Sequence, residues 1–190
     1  MIRLLAEAWV GLKGIYYLLM FRENWEQNFD FSLRGLWHSF AAILLVLPLI
    51  GLIMIGGYYA GSRDFFPVFM VSYTLSWLIF PIAAAIAVSV LGVRQNFIPW
   101  VVMHNWGVIP LYGLQALFWT LHVAGLADVD MLGLLFFAYG PIRLLIHWRI
   151  AYAALGVPTI TAAMAAAVPV IASEILYEAV SQAFSTPVAG

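Results

Sequence analysis

Residues 35–59 read GLWHSFAAILLVLPLIGLIMIGGYY, a run without one Lys, Arg, Asp or Glu. A helix needs about 20 mostly apolar residues to cross the hydrocarbon core of a bilayer, and this run is long enough. Outward from it lie four more stretches of the same kind, 67–92, 98–123, 131–154 and 158–183. Short polar punctuations separate them: Gly61-Ser62-Arg63-Asp64, Gly92-Val93-Arg94-Gln95-Asn96, Gly125 to Asp130, and Gly156-Val157-Pro158. The pattern predicts an all-α membrane protein, a bundle of five transmembrane helices over residues 32–190. It leaves no room in that region for an extramembrane domain.

Composition agrees. The chain has 190 residues, of which 65% are hydrophobic and 9% charged, with a mean hydropathy of +0.99. A soluble domain is about 45–50% apolar and roughly 25% charged, so a soluble enzyme, a secreted domain and a disordered tail are excluded. The net charge is −1, with no basic block for nucleic acid and no polybasic segment for anionic lipid. The absence of Cys removes disulfides, thiolate metal sites and thiol nucleophiles.

Residues 1–31 are predicted to form an N-terminal amphipathic interfacial helix followed by a polar connector. Arg3, Glu7, Gly11 and Gly14 share one side of a helical wheel, with Lys13 at its margin. Leu5, Ala8, Trp9, Leu12, Ile15, Tyr16 and Leu19 crowd the rest. As a sixth span this segment would bury Glu7 and Lys13, at roughly 2.5–3.5 kcal/mol for a charge at a span's centre. Lying in the interface avoids that. The apolar start resembles a signal peptide, but Glu7 and Lys13 interrupt it and no A-x-A site follows, so no cleavage is expected. Arg22 to Asn28 is too polar for hydrocarbon.

Orientation follows from the cations. With the N-terminus cytoplasmic, Arg3, Lys13, Arg22, Arg34, Arg94, Arg143 and Arg149 lie inside or in inner halves, and Arg63 alone lies outside. The prediction is N-in and C-out in a bacterial cytoplasmic membrane. Trp25, Trp37, Trp100 and Trp148 then mark inner ends, and Tyr58, Tyr59, Phe65, Phe66 and Trp119 outer ends. Trp77 and Trp106 lie deeper, between helices.

Ionisable side chains inside a bilayer are costly and mark sites. The third span carries His104, Asn105 and Gln115, then His122. At 100° per residue, positions 104, 115 and 122 form one stripe. It reads first as hydrogen-bonding glue between helices and second as a proton or solute path. Arg143 and His147 lie one turn apart on the fourth span, Glu174 and Glu178 one turn apart on the fifth. An axial offset of roughly 7–8 Å separates Arg143 from Glu174. Two clusters are therefore expected: an inner one of His38, His104, Asn105, Arg143 and His147, and an outer one of His122, Glu174 and Glu178, with Arg63, Asp128 and Asp130 nearby. Pro48, Pro81, Pro110, Pro141 and Pro169 fall one per span. They are read as kinks in a compact bundle rather than as broken helices around a cavity. No histidine spacing supports a metal site, no G-x-S-x-G supports a hydrolase and no glycine-rich phosphate loop is present. No catalytic residue, cofactor or metal is predicted.

Ser32-Leu33-Arg34-Gly35-Leu36-Trp37-His38-Ser39-Phe40, Trp77-Leu78-Ile79-Phe80-Pro81, Asn105-Trp106 and Ala154-Leu155-Gly156-Val157 resemble the five-span Yip-type membrane proteins and bacterial proteins of that general plan. The resemblance covers most of residues 32–184 and implies the five-span architecture. Yip-type proteins of eukaryotes bear on trafficking through small GTPases. Their long polar N-terminal region has no counterpart in residues 1–31, and no activity or functional residue is carried over. The expectation is a non-enzymatic membrane protein that binds other membrane proteins or organises the membrane, in contact with lipid and forming homo-oligomers. The alternative is a small transporter or channel with a polar path through the bundle.

Overall fold

A computed structural model describes residues 2–61 and 65–185, and every regular element in it is helical. The helices are α1 (Ile2–Leu19), α2 (Leu33–Ser39), α3 (Ala42–Tyr59), α4 (Phe65–Val90), α5 (Phe97–Val123), α6 (Val129–Leu155) and α7 (Thr159–Ser185). Short 3-10 turns lie at Trp25–Asn28 and Arg94–Asn96. The apolar runs seen in the sequence fall on these helices. The first is divided, because the chain turns at Phe40 and Ala41 between α2 and α3.

Local chemistry sets the ends. The Ser32 hydroxyl caps α2 by accepting from the Gly35 amide at 3.1 Å. Asp128 caps α6, accepting from the Met131 amide at 2.8 Å. Gly156 ends α6 at φ 62°, and Gly61, Gly92 and Gly125 take the same left-handed conformation in the other three connections. A side chain resists that conformation, so glycine is the natural stop. The five interior prolines do not divide their helices, each of which runs on through its proline.

The long helices close a ring. α5 packs against α3 and α6, α6 against α7, α7 against α4, and α4 returns to α3 and α5. α5 is the centre of contact and also meets α1 and α2. Its Trp100, Val101, Val102 and Met103 are fully enclosed. Trp100 is thus a core residue rather than part of an interfacial girdle, while Trp77 and Trp106 are buried as expected.

Four segments are long and apolar enough to cross a membrane: Leu33–Tyr59, Phe66–Val90, Val129–Leu155 and Thr159–Phe184. Their outward residues include Leu44, Leu78, Ile82, Ile86, Phe137, Ile160 and Met164, all largely exposed. Apolar surface on that scale suits a bilayer, where lipid replaces the water that would oppose it. α5 is as long as its neighbours but carries His104, Asn105, Gln115 and His122 along with Trp, Tyr, Gly and Pro. A helix shielded by others can afford these groups, because protein rather than lipid meets them.

α1 crosses α5 instead of running beside it. Glu7 meets His38 on α2 at 2.9 Å, Gly11 faces the Trp106 ring, and Ile15 lies near Gly107 on α5. At its end the Leu18 carbonyl accepts from Arg149 Nε on α6 at 3.0 Å. Between Gly11 and Ile15 α1 advances about 6 Å, while the contacts on α5 shift by one residue, from Trp106 to Gly107. The side that carries Glu7, Gly11 and Gly14 is turned into the bundle, together with Ala8, Ile15 and Leu18. The exposed side carries Leu5, Trp9, Tyr16 and Met20 and also Lys13. At Gly11 a Cβ would lie 2.7 Å from the indole, so only glycine admits this approach.

A candidate ligand cavity inside the helix ring

Five helices in a ring leave space along the axis when their inner side chains do not meet. Here that space is a cavity of about 490 Å³ with walls from α3, α4, α5, α6 and α7. Its wall on α5 runs from His104 to Trp119, about 22 Å of helix. On α4 the wall is a stripe at helical spacing, Phe69, Ser72, Tyr73, Ser76, Trp77 and Phe80. Pro81 and Pro169 also line it. The compact, filled bundle expected from the five prolines is corrected to this extent: unbroken helices surround a partly open cavity lined in large part by aromatic side chains.

Of the expected inner cluster, His104, Asn105, Arg143 and His147 line the cavity. Both histidines are buried. His104 stacks between Phe80, at 3.5 Å between ring centroids, and His147, at 5.2 Å. Asn105 is tied off: its Nδ2 donates to Ser39 Oγ at 2.9 Å, and that hydroxyl donates to the Leu36 carbonyl at 2.7 Å. His38 does not join the group. On α2, His38 meets Glu7 of α1 instead.

The expected separation of Arg143 from Glu174 is also corrected. Arg143 donates to Glu174 Oε1 at 2.8 Å and to Ser173 Oγ. The axial offset ignored side-chain direction. Side chains lean toward the N-terminus of their own helix. On antiparallel α6 and α7, Arg143 leans away from the Gly156 turn while Glu174 leans toward it, and the two leans close the gap. Glu174 keeps 66% of its side chain accessible against 19% for Arg143, so the acid is the open end of the pair.

The expected outer cluster does not assemble among the described residues. His122 Nδ1 bonds the Ala127 carbonyl at 2.9 Å and closes the α5–α6 connection. Glu178 accepts from Gln182 one turn away at 2.7 Å, and Asp128 is spent as a helix cap. Asp130 is exposed in the first turn of α6. Arg63 lies outside the described residues. Gln115 reaches the cavity beside the Tyr139 hydroxyl, so the 104/115/122 stripe contributes its first two members and not its third.

Sequence reasoning missed the tyrosines of this wall, Tyr73, Tyr112, Tyr139 and Tyr177. It also assigned nothing to Ser72 and Ser76 and placed Trp77 only between helices. The signal was present: positions 69, 72, 73, 76, 77 and 80 repeat at three and four residues and mix hydroxyls with aromatics on one face.

Among the described residues, three buried side-chain atoms lack a well-directed hydrogen bond: Ser72 Oγ, Trp77 Nε1, which has the Tyr73 hydroxyl beside it, and His104 Nδ1. All three residues line this cavity. One end of the wall is thus polar, around His104 and His147, and the other apolar, around Ile53, Phe69, Trp119 and Phe136. No family model, curated protein or solved structure matches the chain.

Proposed function

We propose that the chain is an integral membrane protein with five spans, α2–α3, α4, α5, α6 and α7, that binds a small molecule inside the bundle as a carrier or transporter does. The observation that carries this reading is the cavity, at a volume typical of small-molecule sites, with partnerless polar atoms on its wall. Polar atoms buried without partners cost about 1–3 kcal/mol each. A bound molecule offsets that cost. This favours the transport-like alternative over a purely protein-binding role.

In this reading α5 is the fifth span, admitted despite its polar groups because its neighbours cover it. α1 is an interfacial strap at the cytoplasmic end, with Trp9, Tyr16 and Met20 toward the acyl chains and Arg149 holding its last turn. The N-terminus is cytoplasmic and the C-terminus outside. The same plan is what the Yip-type resemblance implies.

The absence of cysteine gives a clean topology test. Single variants Arg94→Cys and Leu126→Cys should be labelled by a membrane-impermeant maleimide from opposite faces. Labelling of both from one face removes the fifth span. For the cavity, native mass spectrometry after mild extraction should show a bound small molecule that Ala172→Trp, which fills the space, expels. Identical spectra from the two proteins overturn the binding reading.

A further inference from the structure

The character of the cavity wall narrows what it binds, given the binding role proposed above. Charge comes first. The two formally charged side chains of the wall are Arg143 and Glu174, and they neutralise each other at 2.8 Å. An ionic ligand would have to break that pair or be buried without a counter-ion, which is expensive at low dielectric.

Donor character comes second. Trp77 Nε1 can only donate and has the Tyr73 hydroxyl beside it without a well-directed bond, and Ser72 Oγ has no partner. Ser72 differs from the other α4 hydroxyls in this respect. Thr74 donates to the Met70 carbonyl, Ser76 to Tyr73 and Ser89 to Ala85, at 2.8, 2.7 and 2.8 Å. Those three are satisfied within their own helix, whereas Ser72, a residue of the cavity wall, has a buried hydroxyl without a partner. His104 Nδ1 adds a third open group that can serve as a donor.

Shape comes third. The open atoms are spread along the wall rather than gathered at one point: Ser72 and Trp77 alone lie about 7.5 Å apart along α4. Beyond them the wall turns apolar at Ile53, Phe69, Trp119 and Phe136. An elongated molecule with more than one acceptor in its head and a hydrocarbon tail matches that order.

We propose that the cavity binds an uncharged lipid whose head carries two carbonyl acceptors, received by Ser72, Trp77 and His104, with its tail along Ile53, Phe69, Trp119 and Phe136. A short-tailed benzoquinone and a diacylglycerol both present this chemistry.

The test is equilibrium binding to the full-length protein in lipid nanodiscs, with four probes: a decyl-substituted benzoquinone, dioctanoylglycerol, laurate and dodecyltrimethylammonium. At least one of the two uncharged probes should bind tighter than both ions by about ten-fold or more, and the better one identifies the source. Ser72→Ala, Trp77→Phe and His104→Phe should each weaken that probe about three- to ten-fold, the loss of one hydrogen bond. Unliganded Ser72→Ala should unfold at the wild-type temperature or above it, since it loses an atom that had no partner. This readout separates lost recognition from lost folding, and Ser72→Ala is the mildest of the three.

Preferential binding of laurate or of the ammonium probe, sensitive to Arg143→Met or Glu174→Gln, overturns the uncharged class while leaving the cavity as a binding site. Uncharged probes that bind equally well to all three variants overturn the assigned contacts. Failure of every probe, together with identical native mass spectra for wild type and Ala172→Trp, removes the binding role itself.

Discussion

Two adjoining regions of the bundle treat polar groups in opposite ways. Where α1 and α2 cross α5, every polar group named above has a partner. Glu7 meets His38, Asn105 bonds Ser39, and Arg149 reaches the Leu18 carbonyl. Asn96 Nδ2 reaches the Leu155 carbonyl at 2.7 Å and ties the α4–α5 turn to the end of α6. Beside this region, Ser72 and Trp77 on α4 and His104 next to Asn105 are buried with atoms that lack a well-directed bond. One chain thus closes its polar groups completely at one place and leaves three of them open around the cavity. Buried polar groups are satisfied in the great majority of cases, so the contrast assigns a structural duty to the first region and a receiving duty to the second.

The sharpest way to break the closed region is to wedge it open. A Cβ at Gly11 would sit 2.7 Å from the Trp106 ring, and a full leucine has no space there. Gly11→Leu should lift α1 from α5 and cost about 3 kcal/mol in chemical unfolding from mixed micelles, with new protease cleavage in residues 20–31. A stability equal to wild type would mean that α1 is not packed as described. The next test sets two serines against each other. Ser39→Ala strands the buried Asn105 amide and should cost about 1–3 kcal/mol. Ser72→Ala removes an atom with no partner and should leave unfolding within about 0.5 kcal/mol of wild type or improve it. Equal losses for the two would erase the distinction between the regions.

A smaller effect lies in the ion pair at the cavity's middle. In a double-mutant cycle with Arg143→Met and Glu174→Gln, the coupling should be about 1 kcal/mol, because Glu174 is largely accessible and solvent or ligand screens it. A coupling near zero would show that the pair does not bind the two helices together and that Arg143 is free for an anion.

The helices were legible in the sequence because uninterrupted apolar length and glycine punctuation are local signals. Each of the four connections between the long helices carries its glycine at positive φ, and the helix ends follow. The break at Phe40 was not legible, since residues 35–59 stay apolar throughout it. The site was legible in part. His104, Asn105, Gln115, Arg143, His147 and Glu174 stood out as polar groups in apolar runs, and all line the cavity. Which of them met was a question of side-chain direction and helix neighbours. Axial counting misled on Arg143 and Glu174, and nothing local distinguished His38, on the outside of the ring, from His104 within it. Ser72 and Trp77 lie on a stripe whose spacing is legible, but their significance is the partner they lack, which only the packed bundle reveals.

The smallest expected effect concerns the closed region's outer connector. Hydrogen bonds from the Ser32 hydroxyl and amide, the latter at 2.9 Å to Asp30 Oδ1, hold the Asp30 carboxyl below its ordinary pKa. A carboxylate depressed in the folded state contributes stability that is present above its unfolded pKa and is lost as pH falls through the folded value. From about pH 4 downward, protonated Asp30 should release the Ser32 amide and loosen the start of α2. Exchange of the Ser32 amide, followed by mass spectrometry after correction for intrinsic rate, should therefore lose protection in that range. Asp30→Asn should show reduced protection at neutral pH and no further acid step. Because Asp30 is almost fully solvated, the change should stay local and leave binding in the cavity untouched. An acid step that also altered probe binding would show that the start of α2 is coupled to the cavity.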